Sequence, residues 1–206
     1  MDSAFEGGEL VLATHNKGKV REFEAMFQPR GVTIRSAADL GLAEPEETGS
    51  TFEANAILKA EAAMVATGLP ALADDSGLAV AGLDGAPGIY SARWAGPGGD
   101  FNMAIARVFR ELEGRYGSFA AAPKEAAFIA VLALAWPDGR TLTFPGVVDG
   151  RIVEAPRGEG GFGYDPIFIP LGHTQTFGQM SAADKHKISH RRRAIDAMVK
   201  ALFAES

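Results

Sequence analysis

The longest unbroken apolar run, residues 126–136 (AAFIAVLALAW), constrains the fold of this chain more than any other feature. At eleven residues it is too short to cross a bilayer, which takes about 20 in a helix. It has no polar positions at strand or helix spacing, so it reads as a central strand covered on both faces. A strand of that kind requires helices on either side of its sheet. The Pro137-Asp138-Gly139 turn that follows predicts antiparallel pairing with 141–148.

Helical periodicity supplies the covering layers. Val20, Phe23 and Phe27 form one apolar stripe, stopped by Pro29 and Gly31, with strands expected at 9–14 and 32–36. Ser50 and Glu53 read as a capping box for a long helix ending at Gly68. Asp100 is the expected cap of a helix whose buried face is Phe101, Ala104, Ile105, Val108, Phe109 and Leu112. Ile195, Met198, Val199, Leu202 and Phe203 mark the last helix. The sequence predicts an α/β fold: a mixed twisted sheet with flanking helices, one domain over residues 1–206, elaborated as two lobes around a central cleft.

Charge narrows the function. Lys and Arg number 20 against 26 Asp and Glu, a formal net charge of −6. That balance does not suit a general nucleic-acid coat or an anionic-membrane binder, and a polyanion would need a local basic site or a metal ion. With no cysteine, disulfides, thiol nucleophiles and cysteine-ligated metals are excluded. The acidic start, MDSAFEGGEL, has no apolar core, so the expectation is a soluble cytoplasmic protein without a secretory signal.

Five segments could carry chemistry. Thr14, His15, Asn16, Lys17, Gly18 and Lys19 lie at a strand-to-helix junction, where free N–H groups and lysines suit a phosphate, or simply a capped helix with exposed lysines. Glu44, Glu46 and Glu47 share a loop, while Asp74 and Asp75 are adjacent on a strand and point to opposite faces. Hard carboxylates without His or Cys suit Mg²⁺. Thr51, Asn55 and Lys59 recur every four residues along one helix face. In the basic run 185–193, Arg191 falls on the apolar stripe of the last helix, and Arg192 and Arg193 fall on its solvent side. Phe162 and Tyr164, in the glycine-rich loop 158–165, offer faces for stacking a base, with Asp165 as an acceptor.

Taken together, LATHNKGK (12–19), EETGSTFEANAILKA (46–60), ADDSGL (73–78), GAPGIYSAR (85–93), GGFGYDP (160–166) and KHKISHR (185–191) resemble the inosine triphosphate pyrophosphatase family. That resemblance implies Mg²⁺, a homodimer, and hydrolysis of ITP, dITP or XTP to the monophosphate and pyrophosphate. It maps the triphosphate loop to Thr14 through Lys19, the metal carboxylates to Glu46 and Asp75, and the proton acceptor to Asp75. Ser76 lies at the substrate and Lys59 near the phosphates. Phe162, Gly163, Tyr164 and Asp165 form the base-stacking loop, and Lys185, His190 and Arg191 surround base and phosphate. Neither a nucleic acid nor a membrane is an expected partner. The competing readings are another phosphohydrolase or phosphotransferase acting on nucleotides, and a nucleic-acid binder using 185–193.

Overall fold

The computed structural model describes residues 8–203. Strand β1 (Gly8–Leu12) leads into helix α1 (Lys17–Phe27) and returns through β2 (Val32–Ser36). Helix α2 (Phe52–Thr67) then precedes β3 (Ala71–Val80). A stretch of short 3-10 turns leads to α3 (Phe101–Tyr116), then β4 (Glu125–Ala135) and β5 (Thr141–Ile152). The chain closes with β6 (Phe168–Pro170), α4 (Ala182–Ile188) and α5 (His190–Phe203).

The six strands form one sheet in the order β2-β1-β3-β4-β5-β6. β1 runs parallel to β2, Leu10 opposite Ile34, and parallel to β3, Val11 opposite Ala71. α1 crosses over from β1 to β2, and α2 then carries the chain from β2 across to β3 on the other side of β1. β5 and β6 are antiparallel. The Trp136 N–H donates to the Arg140 carbonyl, and the Ile152 N–H donates to the Lys124 carbonyl, so β4 and β5 keep one antiparallel register from the hairpin turn to its far end. The apolar run is therefore a central strand, buried continuously from Ala130 to Trp136. The predicted mixed sheet with flanking helices is observed.

Two compact units share the sheet's strands. One comprises the chain up to Asp75, Val131–Pro145 and the chain from Ala194; the other comprises Ser76–Ala130 and Gly146–Arg193. In the first, α1 packs on β2 and α2 on β1, with Leu10, Leu12, Phe23 and Phe27 fully buried. The core of the second is aromatic, with Phe128, Phe168 and Phe177 in mutual contact and Tyr164 edge-on to Phe101. Among the described residues no helix is long and apolar enough to cross a membrane.

One local expectation needs correction. Helix α2 is capped by Thr51, not Ser50: Thr51 holds the extended cap conformation, and its Oγ1 accepts the Ala54 N–H at 3.0 Å. Glu53, expected to close the capping box, instead accepts a hydrogen bond from the Thr143 hydroxyl at 2.6 Å. The basic run is divided between two helices, α4 and α5. Ser189, in extended conformation, ends α4 before α5 begins at His190, which separates His186 from the turn that carries His190.

Candidate active site

The first unit gathers lysines and carboxylates at the end of its strands. After β1, the Thr14 Oγ1 accepts the Asn16 N–H at 3.2 Å, and the Asn16 Oδ1 accepts the Lys19 N–H at 3.2 Å. Asn16 thereby caps α1, whose first turn presents backbone N–H groups and a positive dipole end. His15 points away from that turn and donates through Nε2 to the Leu42 carbonyl at 3.0 Å. The Lys17 side chain lies outside the described part of the structure; the backbone of Lys17 and Gly18 opens α1. Lys19 reaches back to Asp74, Nζ to Oδ2 3.2 Å.

Strand alternation separates the paired aspartates as expected. Asp74 faces Lys19, while Asp75 faces Lys59 on α2. Both aspartates and Lys59 are buried. The Lys59 ammonium donates to Glu47 at 2.8 Å, to Asp75 Oδ1 at 2.8 Å and to the Asp74 carbonyl at 3.1 Å, which occupies all three of its N–H donors. Burial works against the Lys59 charge, but Asp75 and Glu47 outweigh it and hold the ammonium above its usual pKa. Burial dominates at Asp75 and pushes its carboxyl above the ordinary range, with Lys59 pulling it back and Glu47 reinforcing the rise. A buried carboxylate whose pKa is raised in this way is a better proton acceptor than an exposed one.

The donor set bears on a metal. Carboxylate oxygens alone, with no sulfur and no imidazole among them, suit a hard cation such as Mg²⁺. Among the described residues no group of three or more His, Asp or Glu side chains is arranged to enclose an ion. One or two carboxylates completed by substrate oxygens and water are the ordinary provision for Mg²⁺, and Glu47 and Asp75 fit that pattern. Glu46, which the resemblance marks as a metal ligand, is exposed, and the loop carboxylate drawn to Lys59 is its neighbour Glu47.

The second unit gathers an aromatic face and basic side chains. Ser76 and Gly77 continue β3 past Asp75. A Cβ at Gly77 would collide with the Ser91 hydroxyl and the Gly88 carbonyl, so the strand and the 85–93 segment can approach only with glycine there. Ser91 Oγ accepts the Leu78 N–H at 3.0 Å and donates to the Gly88 carbonyl at 2.7 Å. The Tyr164 hydroxyl donates to the Ser91 carbonyl at 2.9 Å. In the glycine-rich loop, Asp165 is buried, accepts the Phe162 N–H at 2.7 Å and pairs with Lys185. Burial raises the Asp165 carboxyl, and Lys185 pulls it back. Phe162 is 53% exposed, with the Lys185 ammonium 4.5 Å and the Arg191 guanidinium 5.7 Å from its ring centroid. Arg191 is 4% exposed and donates to Ser76 Oγ over a long 3.4 Å, while His190 stacks on Phe128 at 4.8 Å.

Residues 10–201 match the Ham1 family. This chain belongs to the Ham1 family. It is 53% identical to the dITP/XTP pyrophosphatase of Rhodospirillum centenum, covering 97% of each chain, and 51% identical to that of Ruegeria pomeroyi, covering 98% of this chain and 99% of the other. Among solved structures it resembles a HAM1 protein from Coxiella burnetii, with a TM-score of 0.88 and 38% identity over 96% of this chain and 99% of that one. The Staphylococcus aureus Ham1 protein has a TM-score of 0.83 and 41% identity over 92% and 95% of the two chains.

In this Ham1 chain the expected site residues sort by role. Lys59 and Asp75 form one network, joined by Glu47; Lys19 holds Asp74 beside it. Phe162, Asp165, Lys185, Arg191 and Ser76 form another. Tyr164 and His190 are buried among aromatic neighbours, so the exposed stacking face belongs to Phe162. Nothing in the sequence favours Glu47 over Glu46, and no motif singles out Ser91. Asn55 stands in the polar stripe of α2, and that stripe by itself assigns it no separate role.

Proposed function

We propose that this chain hydrolyses non-standard purine nucleoside triphosphates, dITP, ITP and XTP, to the nucleoside monophosphate and pyrophosphate with Mg²⁺. The carrying observation is the buried Lys59 ammonium held between Glu47 and Asp75, beside the Lys19–Asp74 pair and the start of α1. Cations and helix-start N–H groups suited to a polyphosphate lie there with carboxylates suited to a metal and to a proton.

Lys19 and the first turn of α1 bind phosphate oxygens in this reading, and Lys59 offsets charge beside them. Water attacks phosphorus at the αβ linkage. Asp75 takes the water's proton as the new P–O bond forms, and the bond to the leaving pyrophosphate breaks. Mg²⁺, held by Asp75 with Glu47 or Glu46, would neutralise charge developing on the leaving group. The purine stacks on Phe162, and Arg191 with Lys185 supplies donors to its 6-oxo group, which adenine lacks.

Similarity to enzymes named for dITP and XTP supports the substrate class. The same reading has the protein working in the cytoplasm as a homodimer, with no nucleic-acid or membrane partner. A screen of nucleoside triphosphates with Mg²⁺ tests it. Pyrophosphate and monophosphate from dITP, ITP and XTP are expected, well above the rate with ATP. Orthophosphate as the product would instead indicate another phosphohydrolase. Light scattering reads the dimer.

A further inference from the structure

We propose that Asn55 is a positioning residue: its buried amide clasps the acidic loop at Gly49 and orients the Asp75 carboxylate. The inference rests on the proposed function, in which Asp75 carries the reaction.

Asn55 is the fourth residue of α2 and is 0% exposed. A primary amide that deep must satisfy both its ends. Its Oδ1 accepts the Gly49 N–H at 2.8 Å. That bond settles the orientation of the amide, because an N–H cannot donate to the NH₂ group. The NH₂ is therefore the end facing Asp75, with Nδ2 3.4 Å from Oδ2. The other carboxylate oxygen, Oδ1, is held by Lys59 at 2.8 Å. Asn55 and Lys59 stand one turn apart on α2, so a single helix face grips both oxygens of Asp75.

The same two residues also grip the loop. Lys59 takes Glu47, and Asn55 takes the backbone two residues on. Glu47 and Asp75 are thus registered against each other through α2. The approach at Gly49 leaves no room for a side chain: a Cβ there would lie 2.6 Å from Asn55 Oδ1 and 2.8 Å from Ala54 Cβ. An amide fits this role because it accepts on one side and donates on the other without a charge of its own. A carboxylate in its place would accept from Gly49 but repel Asp75.

Three variants test the clasp: Asn55→Ala, Asn55→Asp and Gly49→Ala, each checked for fold by circular dichroism and assayed on dITP with Mg²⁺. Exchange of the Gly49 amide hydrogen is followed by NMR. Asn55→Ala and Gly49→Ala are expected to lower kcat roughly 10- to 100-fold with KM little changed, the scale of a displaced catalytic group. Gly49 exchange should accelerate in Asn55→Ala. Asn55→Asp separates the two ends, with Gly49 exchange staying slow while kcat falls as in the alanine variant. Wild-type kcat in a folded Asn55→Ala protein would overturn the proposal, and so would a raised KM at unchanged kcat. A wild-type protein that releases no pyrophosphate would defeat the functional reading instead, and Gly49 exchange would still report the clasp.

Discussion

Of the buried aspartates that each hold a lysine, one in each unit invites comparison, Asp75 and Asp165. Asp75 pairs with Lys59 and Asp165 with Lys185. At both, burial raises the carboxyl and the lysine pulls it back. The surroundings differ. Asp165 uses the same oxygen, Oδ2, for the Phe162 N–H and for Lys185, and so braces a loop built from glycines. Asp75 lies on a strand and is held by side chains of one long helix, with a second carboxylate, Glu47, competing for its lysine. A brace needs only to stay ionised and paired. A proton acceptor needs its charge state to be negotiable, and at Asp75 burial first, reinforced by Glu47, works in that direction. Under the proposed function, the same kind of ion pair serves as architecture at Asp165 and as chemistry at Asp75.

The most direct way to break this comparison is to neutralise each aspartate. Asp75→Asn should fold and lose at least ~100-fold in kcat, the scale of a lost general base. Asp165→Asn should act mainly through the loop, raising KM for dITP more than it lowers kcat. Steady-state kinetics on both variants decide the matter. Equal kcat losses at the two positions would mean that Asp165 also serves the reaction, or that Asp75 is a brace as well.

Removing the lysine sharpens it. Lys185→Met leaves Asp165 buried without its cation, a change that typically costs about 3–5 kcal/mol. The sign with pH follows from the raised carboxyl. A folded-state pKa above the unfolded value contributes stability below about pH 4, and that stability is lost as pH rises through the folded value. Losing Lys185 moves the folded value higher still. The gap in Tm between wild type and Lys185→Met should therefore widen from acid to neutral pH. A gap of constant size across that range would show that Lys185 contributes packing over Phe162 rather than charge.

Base selection is a smaller effect. Arg191 has only donors and lies against Phe162 and Ser76. If it meets the 6-oxo group, Arg191→Ala should reduce kcat/KM for ITP more than for ATP. An unsatisfied donor typically costs about 1–3 kcal/mol, which sets the change in ratio at roughly 5- to 150-fold. Equal losses on both nucleotides would assign Arg191 to the phosphates or to the fold.

How legible the molecule is in its sequence depends on the element. The central strand is legible because an unbroken apolar run has few other uses, and β2 because Val32 to Ser36 is bounded by a turn and a polar loop. Alternation alone assigns Asp74 and Asp75 to opposite sides, since a strand leaves no choice. Glu47 is not distinguishable from Glu46, because a loop has no period and the choice is made by Lys59, which approaches from another element. Tyr164 and Phe162 are indistinguishable for the same reason: both are aromatics among glycines, and only the packing of Phe101 against Tyr164 separates core from surface. The break at Ser189 is easily missed among helix-compatible residues, yet it is a local cap: the Ser189 Oγ accepts the Arg192 N–H at 3.1 Å at the start of α5.

The smallest effect concerns what carries each cluster. Asn55 and Lys59 ride on a helix begun by Thr51, whose hydroxyl accepts the Ala54 N–H. Thr51 touches neither Asp75 nor Glu47 through any of its observed bonds, so it stabilises the platform without entering the chemistry. Thr51→Ala should cost about 1 kcal/mol of stability, as cap removal usually does, with kcat on dITP close to wild type. Ser50→Ala, which removes the residue a sequence reading prefers as the cap, should change neither. Chemical denaturation of the two variants gives the stabilities. If Ser50→Ala is the more damaging, the helix begins one residue earlier in solution. If Thr51→Ala lowers kcat as far as Asn55→Ala does, α2 transmits strain from its first turn to Asp75, and the first cluster is no better insulated from its scaffold than the glycine loop around Asp165.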